Sequence, residues 1–386
     1  MSNKKEAFNI CITRNQPFAY SETFIRNQIK KLSEKANVFS LHSGRLPEKE
    51  EDGNNIYPKH KWIIHKILRG ITQNRNTFIS NKVLAHYLTQ NKIDIVLSNF
   101  GMSAAHMSVI CNKVNIPLVP HFHGFDATKQ KVIENYRALY KQMFQSSPAI
   151  VAVSEVMKKK LIRLGAPEEK VKVIPYGINL TNFAPAIANK STEQFIFIAV
   201  GRFTAKKAPL LTIKAFEKVC DKLAHVSLIM IGGKEGLFAA CEQYVQAQKL
   251  ESKINFTGTM SSEKIAEYMQ QAHAFVQHSI TAANGDMEGT PLSILEAAAS
   301  GLPVISTLHG GIMEAVLHNK TGLLCEEKDV DAMAENMLTL TQNPTMAQQM
   351  GLAGRKHIEE HYDLDKQSQK LFELLKSSIT DFHSNV

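Results

Sequence analysis

Short runs of β-branched and aromatic residues recur along the chain, spaced widely enough for a helix between most neighbouring pairs. In the first half they are Phe8 to Thr13, Val38 to Leu41, Ile93 to Ser98, Leu118 to Phe122, Ile150 to Ser154 and Val171 to Tyr176. After a gap they resume as Phe195 to Val200, Val226 to Ile231, Ile254 to Thr257, Ala274 to Gln277 and Val304 to Thr307. Between them, Phe24 to Leu32, Ala208 to Leu223 and Leu292 to Ala299 carry apolar residues at helical spacing. Alternation of this kind predicts parallel sheets covered by helices on both faces. The series breaks once, at Asn179 to Thr192, where Pro185, Ala186, Asn189, Lys190 and Ser191 have the composition of a polar linker.

Two consecutive α/β units of Rossmann type follow from this pattern, with ligands expected beyond the C-terminal ends of the strands and in a cleft between the units. The segment Asp363 to Phe382 reads as a final amphipathic helix, with Leu371, Phe372, Leu374 and Leu375 on its apolar side. The expected domains are residues 1–180 together with 364–386, and residues 181–363.

A length of 386 residues with 44% apolar and 21% charged residues suits two ordinary globular domains and leaves disordered or fibrous readings without support. Five scattered cysteines, with no C-x-x-C pair, indicate neither a disulfide framework nor a zinc site, so a reducing cytoplasm is expected. The N-terminus offers only Ile10 to Ile12 as an apolar run, too little for a signal peptide, and no uninterrupted apolar stretch approaches the ~20 residues that span a bilayer.

Charge is distributed unevenly. Residues 1–180 carry 27 Lys and Arg against 13 Asp and Glu, a net +14, whereas the remainder carries 18 against 23, a net −5. An anionic partner or surface is therefore expected on the first half only. Its most concentrated stretch, Lys59 to Arg69, includes the single tryptophan, Trp62, ahead of Ile64, Ile67, Leu68 and Ile71, which share a face on a helix. That pattern fits an interfacial anchor as well as an ordinary core-packing helix.

Three strand ends carry candidate chemistry. Gly201-Arg202-Phe203-Thr204-Ala205-Lys206-Lys207 combines a glycine, which lets backbone approach a ligand, with cations able to clamp a diphosphate. Glu288-Gly289-Thr290-Pro291-Leu292-Ser293-Ile294-Leu295-Glu296 places proline and small residues at a predicted helix start, whose free N–H groups attract phosphate or sugar oxygens. Glu296 falls roughly two turns below Glu288 in this reading, beside an apolar face where a carboxylate needs a partner such as a ribose diol. His121-Phe122-His123-Gly124-Phe125-Asp126 ends a strand of the basic half.

Taken together, Glu288-x7-Glu296, Gly201-Arg202 with Lys207, His123-Gly124-x-Asp126 and Pro175-Tyr176-Gly177-Ile178-Asn179 resemble glycosyltransferase family 4, retaining enzymes of the GT-B fold. Ser21-Glu22-Thr23-Phe24-Ile25 with Gln28, and Asn284 to Pro291, are similar to its colanic-acid and exopolysaccharide branch. The resemblance implies that Arg202 and Lys207 hold the donor pyrophosphate, Glu296 the ribose and Glu288 the transferred sugar. Gly201 and the backbone N–H groups of Gly289, Thr290 and Leu292 would meet the donor, and His123 would lie at the reacting centre. Ser21, Glu22 and Asp126 are the acceptor-side candidates, Tyr176 to Asn179 the hinge, and the last helix would return to the first domain. It also implies a nucleotide-diphosphate-sugar donor, a glycan acceptor of lipid-linked type, no cofactor and no metal, and a place in the cytoplasm or on the inner face of the plasma membrane.

Two departures from the family pattern stand out. Gly232-Gly233-Lys234-Glu235-Gly236 replaces a frequent Gly-Asp-Gly-Pro turn, and Met313 stands in His309-Gly310-Gly311-Ile312-Met313-Glu314 where proline is frequent. Against a metal-dependent GT-A enzyme, the D-x-D triplet Asp363-Leu364-Asp365 precedes a helix and reads as its cap. A GT-B-like nucleotide-sugar epimerase would share the sheets and the nucleotide pocket, but it would turn over donor without acceptor. A nucleic-acid-binding protein accounts for the charge alone, and the basic half shows no recognition motif for one.

Overall fold

The computed structural model describes residues 8–16, 23–58, 62–63, 77–185 and 193–384. Ser21, Glu22 and, apart from Trp62 and Ile63, the stretch Lys59 to Arg69 lie outside the described residues. The chain forms two compact units, Met1–Pro175 with Asp365–Val386, and Tyr176–Leu364.

Among the described residues, the first unit has seven strands: β1 (Asn9–Thr13), β2 (Asn37–His42), β3 (Lys49–Glu50), β4 (Ile95–Asn99), β5 (Leu118–Phe122), β6 (Ile150–Ala152) and β7 (Val171–Val173). They lie in the order β3-β2-β1-β4-β5-β6-β7, parallel except for β3 against β2. Residues of β1 alternate between two cores, as the period of a strand requires. Cys11 joins Leu84, Met107, Ile110 and Phe144 on one face. Ile10 and Ile12 join Val119 and Val151 on the other, where Leu371, Phe372 and Leu375 of the final helix, Leu364–Ser384, complete the layer. The Phe8 and Phe372 rings are 5.4 Å apart, and Asp365 in the first turn of that helix pairs with Lys31 at 2.7 Å. Half of the D-x-D triplet is thus a structural ion pair.

The second unit is a parallel sheet of β8 (Phe195–Val200), β9 (Val226–Ile231), β10 (Ile254–Gly258), β11 (Ala274–Val276), β12 (Val304–Thr307) and β13 (Gly322–Cys325). Its order is β10-β9-β8-β11-β12-β13, so the C-terminal ends of the neighbours β8, β11 and β12 share one edge. The apolar-run pattern missed β13, a short strand opened by Gly322, where a Cβ would stand 2.1 Å from the Val304 carbonyl oxygen.

The chain leaves the first unit after Pro175, before the polar break from which the sequence placed the boundary. The start of that break is tied down within the second unit. Phe183 is buried, and the Arg355 guanidinium donates to the carbonyls of Leu180 at 3.2 Å, Phe183 at 2.8 Å and Ala299 at 2.6 Å. The outgoing and returning segments run side by side. Ile178 N–H donates to Tyr362 O at 2.7 Å, and Leu364 N–H to Ile178 O at 3.1 Å. Gly177 is required by this approach, since a Cβ there would lie 2.4 Å from Leu364 Cα.

Candidate active site

The loop after β8 is built around one lysine. Gly201 has φ +154°, and a Cβ on it would meet Lys207 Cδ and Cε at 2.8 Å, so the lysine stem occupies the space that a side chain would need. Gly232, after β9, packs under the same turn; a Cβ there would be 2.2 Å from Gly201 O. A single 3-10 turn, Ala205–Lys207, then leads through Ala208 (φ +36°) into the helix Pro209–Cys220. Lys207 Nζ donates to Gln277 Oε1 at 3.1 Å and lies 3.4 Å from Glu288 Oε1. Burial pulls the Lys207 ammonium below its ordinary range, Lys206 and Arg202 add to that, and Glu288 opposes it. Arg202 is exposed, and its guanidinium makes no ion pair among the described residues.

Lys206 has a different task from its neighbour. Its Nζ lies 3.2 Å from both Asp286 Oδ1 and Met287 O, and its carbonyl accepts from Ile280 N–H at 2.8 Å. It braces the loop that delivers Glu288.

Glu288 is buried, and burial by itself would raise its carboxyl. Lys207 and then Lys206 outweigh that and hold it down at about 2. Pro291 stands immediately before the helix Leu292–Ala299 rather than inside its first turn. Glu296 is accordingly its fifth residue, little more than one turn in, where the sequence placed it two turns down. Burial pushes its carboxyl up to about 7 against the pull of Lys207. The two glutamates therefore have opposite environments, one firmly ionised and one poised near neutrality.

The Glu296 shift has a consequence for stability. A carboxyl at about 7 in the folded chain and 4.5 ordinarily binds more protons folded than unfolded between those values. Its stabilising contribution is fully present below 4.5 and is lost as pH rises through 7. Glu296→Gln is therefore expected to gain about 1 to 3 kcal/mol relative to wild type between pH 5 and pH 8, measured by denaturant titration at several pH values. A pH-independent difference would show that Glu296 is not held near neutrality.

Ser293 and His309 were named from the sequence only inside longer motifs and Gln277 only as a strand end, with no role given to any of them, and Glu327 was not named. Gln277 Oε1 accepts from Lys207 and, at 3.3 Å, from Ser293 Oγ, while its Nε2 donates to Ser279 Oγ at 2.8 Å. His309 Nε2 accepts from Glu288 N–H at 3.1 Å, and Nδ1 lies 2.6 Å from Glu327 Oε1. These residues follow β11, β12 and β13 or open a helix. A consistent strand-end rule would have found Gln277 and His309, but nothing in the sequence pairs them with Lys207 or Glu288. Met313 falls in a four-residue helix, Ile312–Ala315, with its side chain exposed. Among the described residues, no group of three His, Cys, Asp or Glu is arranged to hold a metal ion.

The first unit has its own polar cluster at the ends of β4 and β5. His123 Nε2 donates to Asn99 Oδ1 (2.9 Å), Asn99 Nδ2 donates to Gln28 Oε1 (3.1 Å), and Gln28 Nε2 donates to His121 Nδ1 (3.2 Å). Burial holds both imidazoles well below their ordinary range, His121 at about 3, so both are neutral at neutral pH. Asp126, an acceptor-side candidate, is fully buried and anchors the turn. Its carboxylate accepts the backbone N–H groups of Gly101 (3.0 Å), His123 (3.0 Å) and Gly124 (2.8 Å), so its oxygens are taken up in fixing the turn. The backbone around it is tightly specified, with Phe100 at φ +69° and Gly124 at φ +151°. Ser21 and Glu22 lie outside the described residues.

Residues 181–357 match the family model described as glycosyl transferases group 1, and residues 21–182 match that of glycosyltransferase family 4. The chain is 30% identical over 289 residues to the amylovoran biosynthesis glycosyltransferase AmsK of Erwinia amylovora, covering 73% of this chain and 70% of that protein. It is 29% identical over 299 residues to WcaL of Escherichia coli K12, named for colanic acid biosynthesis, covering 75% and 71%. Among solved structures, Anabaena HepE in complex with UDP and glucose superposes with a TM-score of 0.76 at 18% identity, over 96% of this chain and all of that one. Sucrose-phosphate synthase from Thermosynechococcus elongatus also gives 0.76 at 18% identity, over 96% and 98%. These structures share the fold.

Proposed function

Because the chain belongs to glycosyltransferase family 4, we infer that this GT-B enzyme moves a sugar from a nucleotide-diphosphate donor to a hydroxyl of a glycan, with retention of anomeric configuration. The observation that carries this reading is the joining of Lys207, Gln277 and Glu288 in one buried cluster, with Arg202 exposed beside it. A pyrophosphate laid against Arg202 and Lys207 would meet two cations, of which Lys207 is fixed in advance by Gln277 and Glu288, and fixed charge costs no reorganisation as the leaving group gains charge. In this mechanism the bond from the anomeric carbon to the phosphate oxygen breaks, and the bond to the acceptor oxygen forms on the same face. The acceptor proton passes to the departing phosphate oxygen.

Glu288, ionised and fixed by Lys207, would accept hydroxyls of the transferred sugar. Glu296 would take the ribose hydroxyls, with Gly201, Gly289, Thr290 and Leu292 supplying backbone to the donor. His123 is assigned to the reacting centre on family likeness; its neutral imidazole suits a hydrogen-bonding role rather than that of a charged acid.

The names of the relatives support a surface-polysaccharide context. AmsK and WcaL are named for amylovoran and colanic acid biosynthesis, and a further relative of Mycobacterium tuberculosis for GDP-mannose-dependent mannosyl transfer to a phosphatidylinositol mannoside. Since Arg202 and Lys207 supply the counter-charge, transfer is expected to survive EDTA and to give a product with the donor's anomeric configuration, read by NMR of the new linkage. Inversion, or loss on chelation with recovery on adding Mg²⁺ or Mn²⁺, would overturn this mechanism.

No described helix is long and apolar enough to cross a membrane. The +14 of residues 1–180 supports a peripheral position against an anionic leaflet, at about 1 kcal/mol of attraction per basic residue near the surface. The protein is expected to co-sediment with anionic but not neutral vesicles at low salt, less so when Lys59→Glu, Lys61→Glu and Lys66→Glu are combined. Equal partitioning to both, or none, would remove the membrane claim and leave the transferase standing.

A further inference from the structure

We propose that His309 is a positioning residue: clamped by Glu327, its imidazole fixes the backbone of Glu288 and so aims the carboxylate paired with Lys207. The proposal rests on the reading of Glu288 as the group that meets the transferred sugar.

Both ring nitrogens are committed. Nε2 lies 3.1 Å from Glu288 N, which can only donate, so Nε2 carries the lone pair and the proton sits on Nδ1. That proton points at Glu327 Oε1, 2.6 Å away. A carboxylate there selects this tautomer and the orientation of the ring together. Glu327 is itself held, taking Thr281 N–H at 2.8 Å and Thr281 Oγ1 at 3.2 Å. The next residue, Lys328, has φ +70° and donates its N–H to Nε2 of the buried His278 at 2.7 Å. Through His278, which is fully buried, this support is tied to the core.

The turn that carries His309 is moulded on the same backbone. A Cβ at Gly310 would stand 2.3 Å from Glu288 O, and one at Gly311 1.9 Å from Gly289 O. Residues 309–311 thus hold residues 288 and 289 by one hydrogen bond and by two approaches that admit no side chain. The His309 side chain is 0% exposed, which leaves it no face for a substrate and sets it apart from a catalytic acid or base.

Ring geometry supplies the test. Asparagine can reproduce the Nδ1 donor to Glu327 but has no atom near Nε2, whereas glutamine places an acceptor close to Nε2. His309→Asn is expected to lower kcat about 10- to 100-fold with donor KM within about threefold, because misaim of a reacting group costs rate while Arg202, Lys207 and Glu296 still bind. His309→Gln is expected to recover most of that loss. Equal kcat in both variants, at wild-type level or equally reduced, would overturn the proposal.

Glu288→Gln run beside them separates the two readings. If it turns over like wild type, the role given to Glu288 fails; if it is slow while His309→Asn is not, only the present proposal fails. Should His309→Asn not fold, nitrogen-15 NMR of the wild-type chain decides instead. The expected result is His309 protonated on Nδ1, with an unprotonated Nε2 coupled to the Glu288 amide. The opposite tautomer would contradict it.

Discussion

Arg202→Ala is expected to slow transfer by about 10² to 10³, roughly 3 to 4 kcal/mol of transition-state stabilisation, while leaving thermal stability unchanged. The guanidinium is exposed and makes no ion pair among the described residues, so its removal takes nothing from the fold. Lys207→Ala should show the same loss of rate with a second effect on top. It removes the partner of a buried carboxylate, Glu288, and breaking a buried pair from one side typically costs about 3 to 5 kcal/mol of stability. The two cations are thus distinguished by thermal unfolding, not by rate. Lys206→Ala provides the comparison: it loosens the brace on Asp286 and Met287 without touching the diphosphate, and the expected loss is under about tenfold. Wild-type turnover in a folded Arg202→Ala or Lys207→Ala protein would sink the diphosphate assignment, as would Lys206→Ala being the more damaging lysine change.

The two glutamates are expected to separate by role. At pH 8, above the value of about 7 to which burial pushes its carboxyl, Glu296→Ala should weaken binding of the free nucleotide about 10- to 100-fold, the worth of hydrogen bonds to a charged acceptor, because the ribose is common to donor and product. Glu288→Gln should spare nucleotide binding and reduce transfer by a similar factor or change the choice of sugar. Its effect appears only when the sugar is present, which is the signature of an interaction with the transferred group. Glutamine is the better probe at residue 288, since it keeps the shape beside Lys207. Calorimetric titration with the nucleoside diphosphate, alongside initial rates with the intact donor, measures both sides of this division. An identical loss of nucleotide affinity in the two variants would refute it.

β4, β5 and β12 were legible because each is buried along its whole length and opens on adjacent β-branched or aliphatic residues, Ile95 to Leu97, Leu118 to Val119 and Val304 to Ile305. β3 was not, being two charged residues, Lys49 and Glu50, paired at an edge, and β13 was not, being four residues opened by a glycine. At the site, the Gly201 to Lys207 loop and the Glu288 to Glu296 pair could be read because glycine, cations and carboxylates clustered at strand ends already state a chemistry. Gln277 and His309 could not, since their significance lies in partners 70 and 21 residues away. Asp126 shows the limit from the other side. An aspartate after His-Gly has the composition of a catalytic group, and only its three backbone N–H partners reveal that it serves the turn.

The central claim is that the second unit grips the diphosphate of a nucleotide through Arg202 and Lys207. Calorimetric titration of the full chain with UDP, GDP and ADP, each beside its monophosphate, tests it most directly. The account predicts that one base is preferred, that its diphosphate binds at least about tenfold more tightly than its monophosphate, and that Arg202→Ala abolishes this difference. Equal affinity for diphosphate and monophosphate, or a preference that survives Arg202→Ala, would contradict it.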